Sequence, residues 1–191
     1  VTPMEDNKSN DYRITQHIFD NCDNSAANAL HMIPEMLADL TLDRSMGAMM
    51  GMAVGDSQGA PYEFMAVKDD STKPDKPKNR FQVKDGQWTD DTSMGLCLAD
   101  AMLVTGGEYK GRFVRKWYHE WIEHGLNNAF RNDVERELRH SIGLGGNISH
   151  SINDVQRTRN KVSDEYTPDP PNEDAGNGSI MRLAAVPILF Q

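Results

Sequence analysis

The sequence WTDDTSMGLCLADAMLV, residues 88–104, decides the fold class of this chain. After Asp90 its apolar residues recur at three- and four-residue intervals, which is the period of a helix with one buried face. The pair Gly106-Gly107 follows and provides a helix stop. We therefore expect a helix from about Asp90 to Val104, with two adjacent carboxylates in its first turn.

The first turn of this helix allows two interpretations. Thr89 lies where an N-cap residue would lie, and acids in a first turn complement the helix dipole. Alternatively, the oxygens of Thr89, Asp90 and Asp91 are the donors that Mg²⁺ and other hard divalent cations select. The local sequence favours the cap, so a metal site requires supporting residues from elsewhere in the chain.

The rest of the sequence is also predominantly helical. Alternation with a period of two is almost absent, so we predict an all-α fold. Further helices are expected from Leu42 onward, where Gly47, Gly51, Gly55 and Gly59 form a stripe, and over residues 112–124, 132–142, 148–159 and 179–190. Glycines four residues apart share a helix face, so the stripe predicts close packing against another backbone. Loops are expected at residues 68–80 and 167–172, which are charged or rich in proline.

The chain divides into two parts by its sequence pattern. Residues 1–41 are heterogeneous and begin with a polar stretch, so we expect an amino-terminal extension that is partly disordered. Residues 42–191 form the domain that carries the motifs described below.

The composition narrows the possible classes of function. The 191 residues carry a net charge of −9, which argues against a protein that binds the nucleic-acid backbone. A small anionic ligand remains compatible, because backbone N–H groups and metal ions can bind it. Cys22 and Cys97 lack the spacing of a disulfide framework or zinc site, which favours a reducing compartment, the cytoplasm or the nucleus. No apolar run reaches the length of a membrane span.

Two glycine-rich elements flank the acidic turn in the sequence. Residues 55–63, GDSQGAPYE, place Asp56 and Glu63 near a helix end, either as solvated acids or as parts of a site with Glu63 on a mobile turn. Residues 176–179, GNGS, are either an ordinary turn with Ser179 as an N-cap or a phosphate-binding turn that opens a helix. Neither element decides between its two interpretations alone.

Taken in order, the three elements resemble the ADP-ribosylglycohydrolase family, which includes dinitrogenase-reductase-activating glycohydrolases and ADP-ribosyl-acceptor hydrolases. The matching residues are Gly51-x-x-x-Gly55-Asp56-x-x-Gly59-x-Pro61-x-Glu63, then Trp88-Thr89-Asp90-Asp91-Thr92-x-Met94, then Gly176-Asn177-Gly178-Ser179-x-Met181-Arg182. The resemblance covers about residues 42–191. It implies an all-α hydrolase that cleaves the N- or O-glycosidic bond between ADP-ribose and a protein side chain.

The resemblance also implies roles for individual residues. Thr89, Asp90 and Asp91 would be ligands in a centre of two Mg²⁺ ions, with Mn²⁺ in some members. Glu63, near the scissile bond, and Asp91 would be the catalytic acids. The substrate-binding residues would be Asp56 and the turn Gly176, Asn177, Gly178 and Ser179, which would lie along the diphosphate. The implied partner is an ADP-ribosylated protein or an ADP-ribose conjugate, and neither nucleic acid nor a membrane is expected.

Two features depart from the family pattern. The family carries a second acidic ligand cluster, of the type Asp-x-Asp-Thr, which has no counterpart before Gln191. We therefore expect the amino-proximal part of a larger hydrolase, with half of the metal site. Asp174 would place a carboxylate near the diphosphate, which is unfavourable without screening. The alternatives are an inactive or truncated relative that binds ADP-ribose or has a structural role, and a helical interaction domain whose motifs are chance caps and turns.

Overall fold

The computed structural model describes residues 39–65, 77–158 and 176–190. Within these ranges the secondary structure is helical and contains no strand, which confirms the predicted all-α class. The elements are α1 (Leu40–Gly59), a 3₁₀ turn (Ala60–Tyr62), α2 (Asp90–Val104), α3 (Gly111–His124), α4 (Gly146–Thr158), α5 (Gly178–Met181) and α6 (Ala185–Leu189). None of the described helices is both long and apolar enough to span a lipid bilayer. Asp174, the loop at residues 167–172 and most of residues 1–41 and 68–80 lie outside the described ranges.

Helix α2 is central to the described fold and has the bounds that the sequence predicts. It contacts α1, α3, α5 and α6. The apolar core joins α2 to α3 and the residues after it, through Met94, Cys97, Leu98, Ala101, Met102, Phe113, Val114, Trp117, Trp121 and Leu126. Because all of these side chains are buried, their removal from water is the main stabilising term that holds the two helices together.

The segment after α3 returns to the amino end of α2. Gly125 ends α3 in the left-handed conformation at φ 71°, where glycine has no Cβ to clash. Two residues later, the Asn127 side-chain amide donates to Asp100 Oδ2 at 2.8 Å, and the Asn127 backbone carbonyl accepts from Trp88 Nε1 at 3.1 Å. These bonds attach the segment after α3 to α2 and hold Trp88 in position immediately before the acidic turn.

Helix α1 packs on α2 through a face other than the glycine stripe. A Cβ built at any glycine of the stripe, from Gly47 to Gly59, would have no atom within 4 Å. The predicted close packing along the stripe is therefore absent from the described residues. The close approach occurs instead at Gly95 of α2, where a Cβ would lie 2.5 Å from Met52 Sδ of α1.

The predicted helix over residues 132–142 is wrong, since these residues form turns. The guanidinium of Arg136 donates to the carbonyls of Phe81 and Gln82, and that of Arg139 donates to the Asp133 carbonyl. Val134 and Leu138 are 80% and 60% exposed, so the segment has no apolar face to bury as a helix. Bonds from these two guanidinium groups to backbone carbonyls, including those of Phe81 and Gln82 far earlier in the sequence, stabilise the turns.

The predicted single helix over residues 179–190 is also wrong, because a turn at residues 182–184 separates α5 from α6. Pro187 has no N–H and cannot donate to a carbonyl four residues earlier, so it is compatible with the first turn of a helix and not with its interior. A new helix that begins at Ala185 satisfies this restriction.

Candidate functional site

The acidic turn at the start of α2 is held by a carboxylate from α1. Asp56 accepts hydrogen bonds from the Thr89 N–H at 3.0 Å, the Thr89 hydroxyl at 2.7 Å and the Thr92 N–H at 2.9 Å. Thr89 stands at the N-cap position, as predicted, but its side chain makes no cap bond to its own helix. Asp56 supplies the cap bonds instead. Because Asp56 lies 33 residues before Thr89, a local sequence pattern could not identify it as the capping residue.

Asp90 and Asp91 are neighbouring, partly buried carboxylates, with 13% and 31% of their side chains exposed. Burial, and then the neighbouring charge of Asp91, raise the pKa of Asp90 to about 7. Burial and the charge of Asp56 raise the pKa of Asp91. Part of each shift comes from a neighbouring carboxylate, so a further cation at this turn would favour the ionised acids.

Arg182 supplies the positive charge that the sequence analysis did not assign. Its Nη2 lies 3.7 Å from Asp90 Oδ2 and 3.7 Å from Asp91 Oδ1, and the residue is 4% exposed. Its Nε donates to the carbonyl of Gly178, the first residue of α5, so the same side chain joins the acidic turn to the glycine-rich turn at residues 176–179. Arg182 stands in the third motif, but nothing in the sequence indicates its acidic partners about ninety residues earlier.

A second glycine loop lies against the acids. Gly143 has φ +90°, and a Cβ there would collide with the Asp90 carboxylate. A Cβ at Gly145 or Gly146 of the same loop would meet nothing within 4 Å, so the close approach is confined to Gly143. The absence of a side chain at Gly143 allows the loop backbone to approach Asp90.

These elements enclose one cleft of about 750 Å³. Among the predicted site residues, those that line it are Glu63, Asp90, Asp91, Gly176, Asn177, Gly178 and Ser179. Asp56 and Thr89 are not among the lining residues, and they are bonded to each other beside the acids. Burial, followed by the charges of Asp91 and Asp56, raises the pKa of Glu63, so this carboxyl retains its proton to higher pH than usual.

Two phenylalanines that the sequence analysis did not mention also line the cleft. Phe64 follows Glu63, has φ +60° and is 64% exposed. Its ring centroid lies 6.2 Å from that of Phe81, in an edge-to-face arrangement of 61°. The cleft that holds the acids therefore also has an exposed aromatic edge.

Comparison with known proteins confirms the resemblance. The model of the ADP-ribosylglycohydrolase family matches residues 37–191. The chain belongs to the ADP-ribosylglycohydrolase family. It is 35% identical over 161 residues to ADP-ribosylarginine hydrolase Tri1 of Pseudomonas putida (strain GB-1), covering 77% of this chain and 36% of the relative.

Two further relatives agree with the family assignment. ADP-ribosylarginine hydrolase Tri1 of Serratia proteamaculans (strain 568) is 32% identical, with coverage of 61% of this chain and 33% of the relative. ADP-ribosyl-[dinitrogen reductase] glycohydrolase of Rhodospirillum rubrum is 36% identical over 69 residues, which cover 34% of this chain and 24% of the relative. The chain thus spans about a third or less of the length of these relatives.

The residue types at the acidic turn fit the Mg²⁺ that the family resemblance implies. The described residues contain no group of three or more His, Cys, Asp or Glu side chains able to hold a metal ion by themselves. Mg²⁺, however, is commonly bound by one or two carboxylates and keeps several waters. In this ADP-ribosylglycohydrolase chain, Thr89, Asp90 and Asp91 provide such hard oxygen donors in a turn with excess negative charge.

Proposed function

We propose that this chain carries part of the active site of a hydrolase that cleaves the glycosidic bond between ADP-ribose and a protein side chain, and so reverses ADP-ribosylation. The observation that supports this most directly is the cleft that brings Glu63, Asp90 and Asp91 together with the turn at residues 176–179. Carboxylates suit the positively charged sugar of a glycosidic transition state, and a glycine-rich turn suits a diphosphate.

In the proposed reaction, water supplies its oxygen to the anomeric carbon while the bond from that carbon to the acceptor side chain breaks. One water proton goes to the acceptor atom that leaves. Glu63 is suited to transfer this proton, because its raised pKa favours the protonated form. Asp91 lies close enough to interact with Glu63 electrostatically and would stabilise positive charge on the sugar.

We propose that Thr89, Asp90 and Asp91 bind Mg²⁺, which when bound would orient the ribose hydroxyls and polarise them. Arg182 balances part of the carboxylate charge and holds the acidic turn against the turn at residues 176–179. Asp56 would act on the substrate through the position of Thr89, because its carboxylate is occupied by bonds to the start of α2.

We further propose arginine as the acceptor side chain. Two relatives carry the name ADP-ribosylarginine hydrolase, and a third is named for ADP-ribosyl-dinitrogen reductase. The partner would then be a protein ADP-ribosylated on arginine. The proposed location is the cytoplasm, on the basis of the cysteine usage described above.

An ADP-ribose-binding protein without turnover is the second candidate. The observation in its favour is that the described residues do not by themselves complete a metal cluster. The glycine-rich turn and cleft would serve such a binder equally well.

Release of free ADP-ribose separates the two candidates. The full-length protein is incubated with peptides ADP-ribosylated on arginine or on serine, with Mg²⁺ or with EDTA. The proposed hydrolase releases ADP-ribose from the arginine peptide with Mg²⁺ and not with EDTA. Binding of ADP-ribose without release under either condition would instead support the second candidate.

A further inference from the structure

The ring of Phe64 is exposed at the cleft by an unusual backbone conformation. A positive φ is uncommon for a bulky side chain and is retained where the surrounding structure requires it. Here φ is +60°, directly after Glu63, and the ring is presented at the cleft instead of being buried with the apolar core. Glu63 and Phe64 therefore both line this cleft.

The ring of Phe64 already contacts a guanidinium. Arg80 Cζ lies 5.6 Å from the centroid of the Phe64 ring, within the range of a cation–π interaction. Arg80 is exposed, so this contact can exchange with another cation without uncovering a buried residue. The protein's own arginine shows that the ring face is accessible to a planar cation.

Phe81 is the second aromatic residue of the cleft, and Arg136 holds its backbone in place. Arg136 donates from Nη2 to the Phe81 carbonyl at 3.1 Å and from Nη1 to the Gln82 carbonyl at 2.9 Å. The same guanidinium lies 3.9 Å from the centroid of the buried Phe130 ring. The backbone of Phe81 is therefore fixed, which gives Phe64 a defined neighbour to pack against.

We propose that Glu63, Phe64 and Phe81 form the subsite that receives the guanidinium of the acceptor arginine. This inference rests on the proposed function. A guanidinium has a flat face that binds aromatic rings and N–H groups that bind carboxylates, and this part of the cleft offers both. Phe64 supplies the ring face and Phe81 lies edge-on to it. The unprotonated oxygen of the Glu63 carboxyl can accept from a guanidinium N–H group.

The competing occupant is the adenine ring, which also stacks on aromatic side chains. The acidic turn favours the guanidinium, because Asp90 and Asp91 line the same cleft as the two rings and give it negative charge. Adenine is neutral and gains nothing from that charge, while the diphosphate attached to it would be repelled.

The test compares three forms of the full-length protein: wild type, Phe64→Leu and Phe64→Tyr. Leucine keeps an apolar side chain with the same backbone strain and removes the ring, whereas tyrosine retains it. Tyr109→Leu is the matched control, because Tyr109 is also 64% exposed and does not line the cleft. The measurements are kcat and KM on arginine- and serine-linked peptides, the Kd of free ADP-ribose, and the thermal unfolding midpoint.

We expect Phe64→Leu to lower kcat/KM for the arginine peptide by roughly 3- to 30-fold, mainly through KM. Phe64→Tyr and Tyr109→Leu should retain the wild-type value, and the Kd of free ADP-ribose should not change. An equal loss of ADP-ribose affinity in Phe64→Leu would assign the ring to adenine and overturn the subsite. No change in any constant would overturn it as well.

Failure of the proposed function gives a different result. If the wild-type protein releases no ADP-ribose, equilibrium binding of the arginine and serine peptides replaces the kinetic constants. A preference for the arginine peptide that Phe64→Leu abolishes would still support the subsite. Equal affinity for the two peptides, or no detectable binding of either, would overturn it.

Discussion

The two sides of the cleft differ in how they are held. The acidic turn is buried and braced, since Asp56 bonds to Thr89 and Thr92 while Arg182 lies against both following carboxylates. The aromatic side at Phe64 is exposed, and its described contacts are with Phe81 and Arg80. Changes at the acidic turn should therefore affect stability and turnover together, whereas changes at the aromatic side should affect mainly the choice of substrate.

The largest effect on stability is expected from Asp56→Ala. This change removes the acceptor for two backbone N–H groups and one hydroxyl at the start of α2. Because these donors are partly or fully buried, we expect the free energy of unfolding to fall by about 2–4 kcal/mol. Urea denaturation measures the change.

Asp43→Ala provides the control for this experiment. Asp43 is an exposed acid of the same helix, so its removal should change stability little. Equal stability losses in Asp43→Ala and Asp56→Ala would mean that the bonds from Asp56 to the start of α2 do not stabilise the fold.

A smaller loss is expected from Gly143→Ala. The new Cβ would meet the Asp90 carboxylate, and φ +90° is unfavourable for alanine. We expect a loss of about 1–3 kcal/mol, with weaker Mg²⁺ binding because the acids must move. Gly145→Ala, in the same loop, has open space and no positive φ, and its stability should match the wild type. Similar behaviour of the two variants would contradict the close approach at Gly143.

The helices around the core could be predicted from the sequence because their signals are local. The apolar period from Asp90 and the pair Gly106-Gly107 determine the bounds of α2, and both lie within one segment. The same reasoning predicted a helix over residues 132–142, which is wrong. Their turns depend on Arg136 reaching the carbonyls of Phe81 and Gln82, more than fifty residues earlier.

The candidate site could be predicted in its residues but not in its connections. The three motifs identify most residues that line the cleft, and the family match supports their order. The bond from Asp56 to the start of α2 and the proximity of Arg182 to the acids arise from tertiary packing. A stripe of glycines does not indicate which segment packs against it. The sequence therefore did not indicate that α1 and α2 approach each other closely at Gly95.

The acidic turn should also give the fold a dependence on pH. The pKa of Asp90 is raised to about 7 in the folded state, so this state binds a proton that the unfolded chain has lost above about pH 4. Stability in EDTA should therefore decrease as the pH rises from 4 to 7. Thermal unfolding at several pH values measures the slope, and Asp90→Asn should reduce it.

The pKa of Asp133 shifts in the opposite direction and serves as an internal comparison. Its bonds to Lys84 and Gln87 lower that pKa to about 2, so its contribution is lost only in strong acid, below the window of Asp90. A slope between pH 4 and 7 that persists unchanged in Asp90→Asn would contradict the assignment to Asp90.

The smallest effect is expected from Gly51→Ala, and it is stabilising. A Cβ at Gly51 meets nothing within 4 Å in the described residues, so alanine should gain about 0.5–1 kcal/mol of helix propensity. Gly95→Ala should destabilise instead, because its Cβ would meet Met52. Loss of stability in Gly51→Ala would show that the glycine stripe is covered in the folded protein.

The most direct test of the central claim is ADP-ribose release by Asp91→Asn in the full-length protein. Asp85→Asn is the matched control, since Asp85 is exposed and does not line the cleft. With an arginine-linked substrate and Mg²⁺, we expect Asp91→Asn to lower kcat by about 100-fold or more while Asp85→Asn retains the wild-type rate. A wild-type rate in folded Asp91→Asn would contradict the assignment of the acidic turn as the catalytic centre.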